Sequence, residues 1–83
     1  MPPDDLADCH LGGQLRRRRR MLGLTQQQVA NAIGVRSQQI QKYESAANRI
    51  SAAQLWKLAK VLDVPIAYFF ESLSQAEARR AAG

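Results

Sequence analysis

Side-chain amides are concentrated in the segment VRSQQIQKYE, residues 35–44, where one serine and three glutamines accompany a single lysine and a single acid. Solubility alone would favour Glu and Lys at such polar positions. A glutamine amide instead carries a hydrogen-bond donor and an acceptor side by side, a pattern that can pair with N6 and N7 of adenine. Glutamate at the same place would repel phosphates. The segment is therefore suited to hydrogen bonding beside a polyanion.

The basic charge of the chain is concentrated in its central part. Residues 9–60 hold ten basic residues and one acid, Glu44, whereas residues 1–8 contain three Asp and residues 61–83 contain two basic residues and three acids. This distribution is typical of a surface that attracts a polyanion. Composition alone leaves a second interpretation open, in which the basic surface serves solubility only.

Several classes of protein are disfavoured by composition. Cys9 is the only cysteine and His10 the only histidine, so we expect no intrachain disulfide, no metal site and no cofactor. We predict no catalytic residues and no enzymatic activity, since no nucleophile has a base beside it. The chain shows no apolar run of membrane-spanning length and no signal peptide, which predicts a cytoplasmic protein without membrane association.

Three regions can be distinguished along the 83 residues, a length that supports one core. MPPDDLAD, residues 1–8, has little to bury and is predicted to be a flexible arm. Residues 9–70 contain helical patterns and are predicted to form the folded domain. Residues 71–83, rich in Ala, Glu and Arg, are predicted to be a tail, either helical or unstructured.

The first predicted helix carries the arginine run. Its apolar stripe is Leu11, Leu15, the aliphatic stem of Arg18 and Leu22, with Asp8 placed to cap the start and Gly23 the end. Residues 16–20 are all arginine, and at about 100° per residue they wrap the whole helix. At least one of them must therefore point toward the protein, and the others form a solvated face with a diffuse attraction for a polyanion.

Two short helices follow, separated by a three-residue break. TQQQVANAIG, residues 25–34, begins with a capping box of Thr25 and Gln28 and ends at Gly34. RSQQIQKYES, residues 36–45, has Ile40 and Tyr43 on one side and polar residues on the other.

Two further helices complete the pattern. A second Ser-x-x-Gln box, Ser51 with Gln54, precedes a buried stripe, and Pro65 opens a last short helix whose Phe69 and Phe70 are expected to close the core. No segment shows the alternation of a strand. The prediction is an all-α, compact five-helix fold in which the second and third helices form a helix-turn-helix.

At LTQQQVANAIGVRSQQIQKYE, residues 24–44, the chain resembles the Cro and phage-repressor type of helix-turn-helix, the XRE-like regulator family. The family pattern asks for apolar or small residues and one Gly at seven positions, which this chain fills with Val29, Ala30, Ile33, Gly34, Val35, Ile40 and Tyr43. Residues 48–70 also resemble the last two helices of that family, so the resemblance covers roughly residues 11–70. The resemblance implies a lambda-repressor-like DNA-binding domain.

The resemblance also assigns roles to polar residues. The exposed start of the second motif helix reads bases in the major groove, which here implies Ser37, Gln38, Gln41 and Lys42. Residues expected to contact phosphates are Gln26, Arg36, Gln39, Asn48 and Arg49. Arg19 is expected to form a partly buried structural ion pair with Glu44, the only acid of the basic region.

Two positions depart from the family pattern. Arg36 stands where a Ser or Thr usually caps the helix, so either Ser37 caps one residue later or the cap is lost and Arg36 reaches a phosphate or a base. Ala46 stands where a Gly is usual in the turn after Glu44.

The function implied is a sequence-specific regulator of transcription, a repressor that binds a palindromic operator in double-stranded DNA as a homodimer. Residues 37–45 would lie in the major groove. The exposed surface of the last two helices, with Trp56 and Tyr68, is the expected dimer contact. The alternative is an antitoxin-like or partner-binding module that also binds DNA and engages another protein through residues 71–83. RNA binding is disfavoured because aromatic platforms for unpaired bases are lacking.

Overall fold

Every regular element of the protein is helical in the computed structural model, which describes residues 6–82. No strand occurs within that range, and the predicted all-α fold class is confirmed. The elements are α1 Leu6–Met21, α2 Gln26–Ile33, α3 Ser37–Glu44, α4 Ala52–Val61, a 3₁₀ helix Ile66–Phe70, and α5 Leu73–Ala82.

Helix α1 begins earlier than the sequence predicted. It starts at Leu6, and Asp8 lies inside its first turn, where a negative charge is favoured by the helix dipole. Residues 6–8 are therefore helical and not part of an arm, and the other residues of the predicted arm lie outside the described range. The helix ends at Met21, and Gly23 turns the chain with φ 72°.

The two helices of the motif are joined as predicted. The Thr25 hydroxyl accepts a hydrogen bond from the Gln28 backbone N–H, and the Gln28 side chain accepts one from the Thr25 N–H, so the capping box is complete. Gly34 ends α2 in the left-handed conformation, with φ 77°. Ala30 is fully buried, and its small size allows α3 to cross close to α2.

The two ends of helix α3 carry residues that are unusual for those positions. Arg36 occupies the N-cap position and makes no side-chain capping bond, so Ser37 does not cap the helix and the side-chain cap is lost. Ala46 adopts φ 63° in the turn after the helix, a conformation that a Gly adopts without strain. The chain therefore keeps the turn that Gly favours while using a residue with a Cβ.

Only half of the predicted box at the start of α4 is present. The Ser51 hydroxyl accepts a hydrogen bond from the Gln54 N–H, 3.1 Å away. The Gln54 side chain does not bond back to Ser51, and its buried Oε1 has no hydrogen-bond partner among the described residues. This side chain instead lines a groove beside α3.

One hydrophobic core joins the helices of the domain. Its buried members are Leu11, Leu15, Val29, Ala30, Ile33, Ile40, Tyr43, Leu55, Leu58, Ala59, Leu62 and Phe69. Two residues expected inside are not: Leu22, just beyond the end of α1, is 40% exposed, and Phe70 is 46% exposed. Adjacent residues of a 3₁₀ helix point about 120° apart, so Phe69 can face inward only if Phe70 faces out.

The C-terminal region forms α5, so the helical alternative for the tail is the one observed. The helix lies against α1. Just before it, His10 Nε2 of α1 is 2.6 Å from the carbonyl oxygen of Glu71. The Gln14 side-chain amide donates to the Tyr68 carbonyl at 3.0 Å.

Candidate nucleic-acid interface

The outward face of α3 is made of polar side chains. Gln38, Gln41 and Lys42 are exposed, and Ser37 and Gln39 are partly buried. None of these five side chains donates to or accepts from another described residue. Their donors and acceptors are therefore available to a ligand along the whole helix.

A wide groove of about 690 Å³ lies along one side of this face. Six of the residues predicted to contact DNA line it together, from α3, from the turn before it and from the loop after it. They are Arg36, Gln38, Gln39, Lys42, Asn48 and Arg49. Val35, Tyr43 and Gln54 complete the lining.

Arg49 has a partner that the sequence did not reveal. Its Nε donates to Oδ2 of Asp8 in α1 at 2.9 Å. The Arg49 side chain is 73% exposed all the same, whereas the Asp8 side chain is 16% exposed. The ion pair therefore orients the guanidinium group at the edge of the wide groove without burying it.

A narrow groove of about 240 Å³ lies on the opposite side of α3. Gln41 and Ser45 of the α3 region line it, together with Gln26 at the start of α2 and with Arg16 and Arg20 of α1. The Gln26 amide nitrogen donates to Glu44 Oε1 at 3.1 Å, a contact that was not predicted. The side chain of Gln26 is thus partly engaged within the protein.

Arg19 and Glu44 form a bidentate ion pair below the narrow groove. Arg19 Nε is 2.6 Å from Glu44 Oε2, and Arg19 Nη2 is 3.0 Å from Glu44 Oε1. The side chains are only 11% and 5% exposed. Hydrogen bonding to Glu44 raises the pKa of Arg19, with a further contribution from the carboxylate charge, against the opposing effect of burial. The guanidinium also donates to the Leu24 carbonyl at 2.9 Å, so the pair ties α1 to both motif helices.

Arg18 is a second inward-facing arginine. Its Nε donates to the Leu62 carbonyl at 2.9 Å, at the end of α4. Two members of the arginine run are therefore bonded inside the protein, as the helical geometry of the run required of at least one.

Gly12 is a structural residue that the sequence analysis missed. A Cβ added there would overlap the carbonyl oxygen of Tyr43 and would lie 2.9 Å from that of Glu44, so α1 and α3 can approach only because residue 12 lacks a side chain. A signal was present in the sequence. A glycine inside a helix costs about 1 kcal/mol relative to alanine, and Gly12 directly follows Leu11 of the apolar stripe. Such a position indicates a close approach of another element.

This arrangement of two short helices is matched by a known family. A family model described as "Helix-turn-helix" covers residues 15–69 of the chain. The chain belongs to the XRE-like helix-turn-helix family of DNA-binding transcriptional regulators. The predicted resemblance is therefore confirmed.

Relatives of this chain in bacteria are also described as transcriptional regulators. Over 72 residues the chain is 51% identical to an uncharacterized transcriptional regulator in the ATPase CF(0) region of Rhodospirillum rubrum, covering 87% of this chain and 67% of that protein. It is 44% identical over 64 residues to an uncharacterized HTH-type transcriptional regulator of Sinorhizobium medicae, covering 77% of this chain. The chain spans about half of that relative, 46% of its length.

Solved structures of two regulators share the fold. The clp gene regulator ClgR of Corynebacterium glutamicum superposes with a TM-score of 0.81 at 25% identity, over 98% of this chain and 85% of the other. The restriction-modification controller protein C.AhdI of Aeromonas hydrophila gives a TM-score of 0.70 at 26% identity, over 74% of this chain and 92% of the other.

The described part of the chain holds neither a membrane-spanning helix nor a cluster of metal-ligating side chains. None of the helices in residues 6–82 is both long and apolar enough to cross a membrane. Nor do three or more of the described His, Cys, Asp or Glu side chains lie close enough together to hold a metal ion.

Proposed function

We propose that this helix-turn-helix regulator recognises a specific sequence of double-stranded DNA by placing α3 in the major groove. The observation that carries the proposal is the outward face of α3, where amide groups without partners among the described residues lie between two grooves lined by basic residues. A major groove about 12 Å wide admits one α-helix.

Base reading is assigned to Ser37, Gln38, Gln41 and Lys42. A glutamine side chain that pairs with both N6 and N7 of adenine contributes about 1–3 kcal/mol of discrimination against another base. The exposure of Gln38 and Gln41 supports this role. Lys42 can donate to guanine or to a phosphate. The Ser37 hydroxyl can pair with either a donor or an acceptor on a base edge.

Phosphate contacts are assigned to Arg36, Gln39, Asn48 and Arg49, which share the wide groove with the base-reading residues. The arginine at position 36 makes no capping bond, which leaves its guanidinium free to extend from the start of α3. Gln26 is assigned a phosphate contact through the first turn of α2, where backbone N–H groups lack intrahelical partners.

We further propose that the protein acts as a homodimer and represses transcription. A single eight-residue recognition helix contacts few bases, and two copies related by a twofold axis would read a palindrome with half-sites about 34 Å apart. Three large exposed apolar side chains, one in the middle of α4 and one at each end of the 3₁₀ helix, support a contact there, since Trp56 is 55%, Ile66 43% and Phe70 46% exposed. A repressor of this kind would act in the cytoplasm, on chromosomal DNA.

Selection of duplexes from a random pool by the purified protein tests the proposal. Repeated rounds at two salt concentrations, followed by sequencing, should enrich a palindromic motif at both. Strong binding that is fully salt-sensitive and enriches no motif would contradict sequence reading, because phosphate contacts alone give that behaviour. The mass of the complex with an enriched duplex tests the homodimer separately, and one protomer per palindrome would refute it.

A further inference from the structure

The narrow groove contains two arginines that the base-reading and phosphate assignments leave unused. Arg16 and Arg20 are exposed and four residues apart, so they lie on the same side of α1. Neither forms an ion pair or a side-chain hydrogen bond with a described residue. Their charges are therefore not compensated by a described neighbour.

The acid in this groove does not neutralise them. The Glu44 carboxylate accepts hydrogen bonds from Nε and Nη2 of Arg19 and from the Gln26 amide. These bonds occupy both carboxylate oxygens. Among the described residues, the lining of the groove holds three arginines, Arg16, Arg19 and Arg20, and this single carboxylate. The described lining is thus net positive, and its exposed charged residues are Arg16 and Arg20.

The position of the groove relative to α3 identifies the anion. A helix in the major groove has a sugar-phosphate backbone on each side of it. The wide groove, with Arg36 and Arg49, serves one backbone in the proposed complex, and the narrow groove lies on the other side of α3 beyond Gln41.

The geometry points to Arg16 and Arg20 as a phosphate clamp for the second DNA backbone, with the first turn of α2 at Gln26 beside it. This inference rests on the proposed function, since it takes α3 to lie in the major groove. The two arginines sit on α1 and not on α3, so they hold the protein on DNA of any sequence and leave the choice of bases to the amides. The wide and narrow grooves of the protein then each hold one of the two DNA backbones that flank α3 in the major groove.

Salt dependence of binding tests the clamp. The double variant Arg16→Gln, Arg20→Gln is compared with a control double, Arg17→Gln, Arg79→Gln. Both doubles remove two charges from exposed arginines, but Arg17, a neighbour of Arg16 and Arg20 on α1, does not line the narrow groove, and Arg79 lies on α5. Any difference between them therefore reports position and not net charge.

Each phosphate contact contributes about 0.9 to the slope of log affinity against log salt. We expect the Arg16, Arg20 double to lower that slope by about 1.8 per bound protomer, with the selected sequence unchanged. The control double should keep the wild-type slope, and replacing Arg16 and Arg20 by Lys should keep most of it. Melting curves verify that all variants are folded.

Equal slopes for the two Gln doubles would overturn the clamp while leaving the proposed function intact. The slope is measured on any duplex, whereas the proposed function fails only if no motif is enriched. A reduced slope combined with an altered selected motif would also overturn the inference, because it would assign base reading to α1.

Discussion

The two faces of α3 differ in how their polar groups are used. On the inner face Glu44 is bonded to Arg19 and Gln26, while Ile40 and Tyr43 are buried against α1 and α2. On the outer face Gln38 and Gln41 make no side-chain hydrogen bond with any described residue. The free energy that orders the helix therefore comes from the face that does not bind. The binding face can keep its hydrogen-bonding groups available without loss of structure.

Removing the buried carboxylate of Glu44 should destabilise the inner face of α3 the most. Glu44→Ala leaves the Arg19 guanidinium buried without its charged partner, and we expect it to lower the free energy of unfolding by about 3 kcal/mol. Urea denaturation measures this value. The matched control is Glu71→Ala, since Glu71 is exposed and a change there should stay within about 0.5 kcal/mol. Equal stability of the two variants would refute a structural role for the pair.

The close approach of α1 to α3 is tested by two adjacent glycines. Gly12→Ala should destabilise the fold by about 2 kcal/mol, because the new Cβ collides with backbone oxygens that cannot move alone. Gly13→Ala is the control, since nothing lies within 4 Å of a Cβ there. It should stabilise the helix by up to about 1 kcal/mol. Thermal melting of the two variants should shift in opposite directions, and a stabilising shift in both would show that the helices are not in contact at Gly12.

Arg36, at the start of α3, is expected to affect stability and DNA binding in opposite directions. Arg36→Ser supplies the missing N-cap and should raise the free energy of unfolding by about 1 kcal/mol. The same change should weaken DNA binding and reduce the salt slope by about 0.9 per protomer, because it removes a phosphate contact. Arg79→Ser on α5 is the control for lost charge. A stabilised variant with an unchanged salt slope would show that Arg36 does not contact a phosphate.

Most of the fold could be predicted because its signals are local. Thr25 with Gln28 and the glycine at position 34 mark the ends of α2, and the apolar spacing marks the faces that are buried. The early start of α1 was missed because Leu6 and Ala7 follow prolines and acids that suggested an arm. The exposure of Phe70 was missed because the two adjacent aromatics look equally suited to the core, whereas adjacent residues of a short helix point about 100–120° apart and only one of the pair faces inward.

The site was only partly predictable, because contacts between distant residues leave little local signal. The Arg19 and Glu44 pair followed from the resemblance, but the bond of Gln26 to the same carboxylate and that of Asp8 to Arg49 did not. Which arginines of residues 16–20 face the narrow groove depends on how α1 is rotated against α3. That rotation is fixed by Gly12, whose importance the sequence shows only as a costly glycine in a helix.

Repeating the selection from random duplexes with Gln38→Ala tests the central claim most directly, that the outer face of α3 reads bases. The control is Gln75→Ala, an exposed amide on α5. We predict that Gln38→Ala melts like the wild-type protein and loses preference at one position in each half-site, by about 1–3 kcal/mol, while the control selects the original motif. Selection of the unchanged motif by Gln38→Ala, with full preference at every position, would contradict the claim.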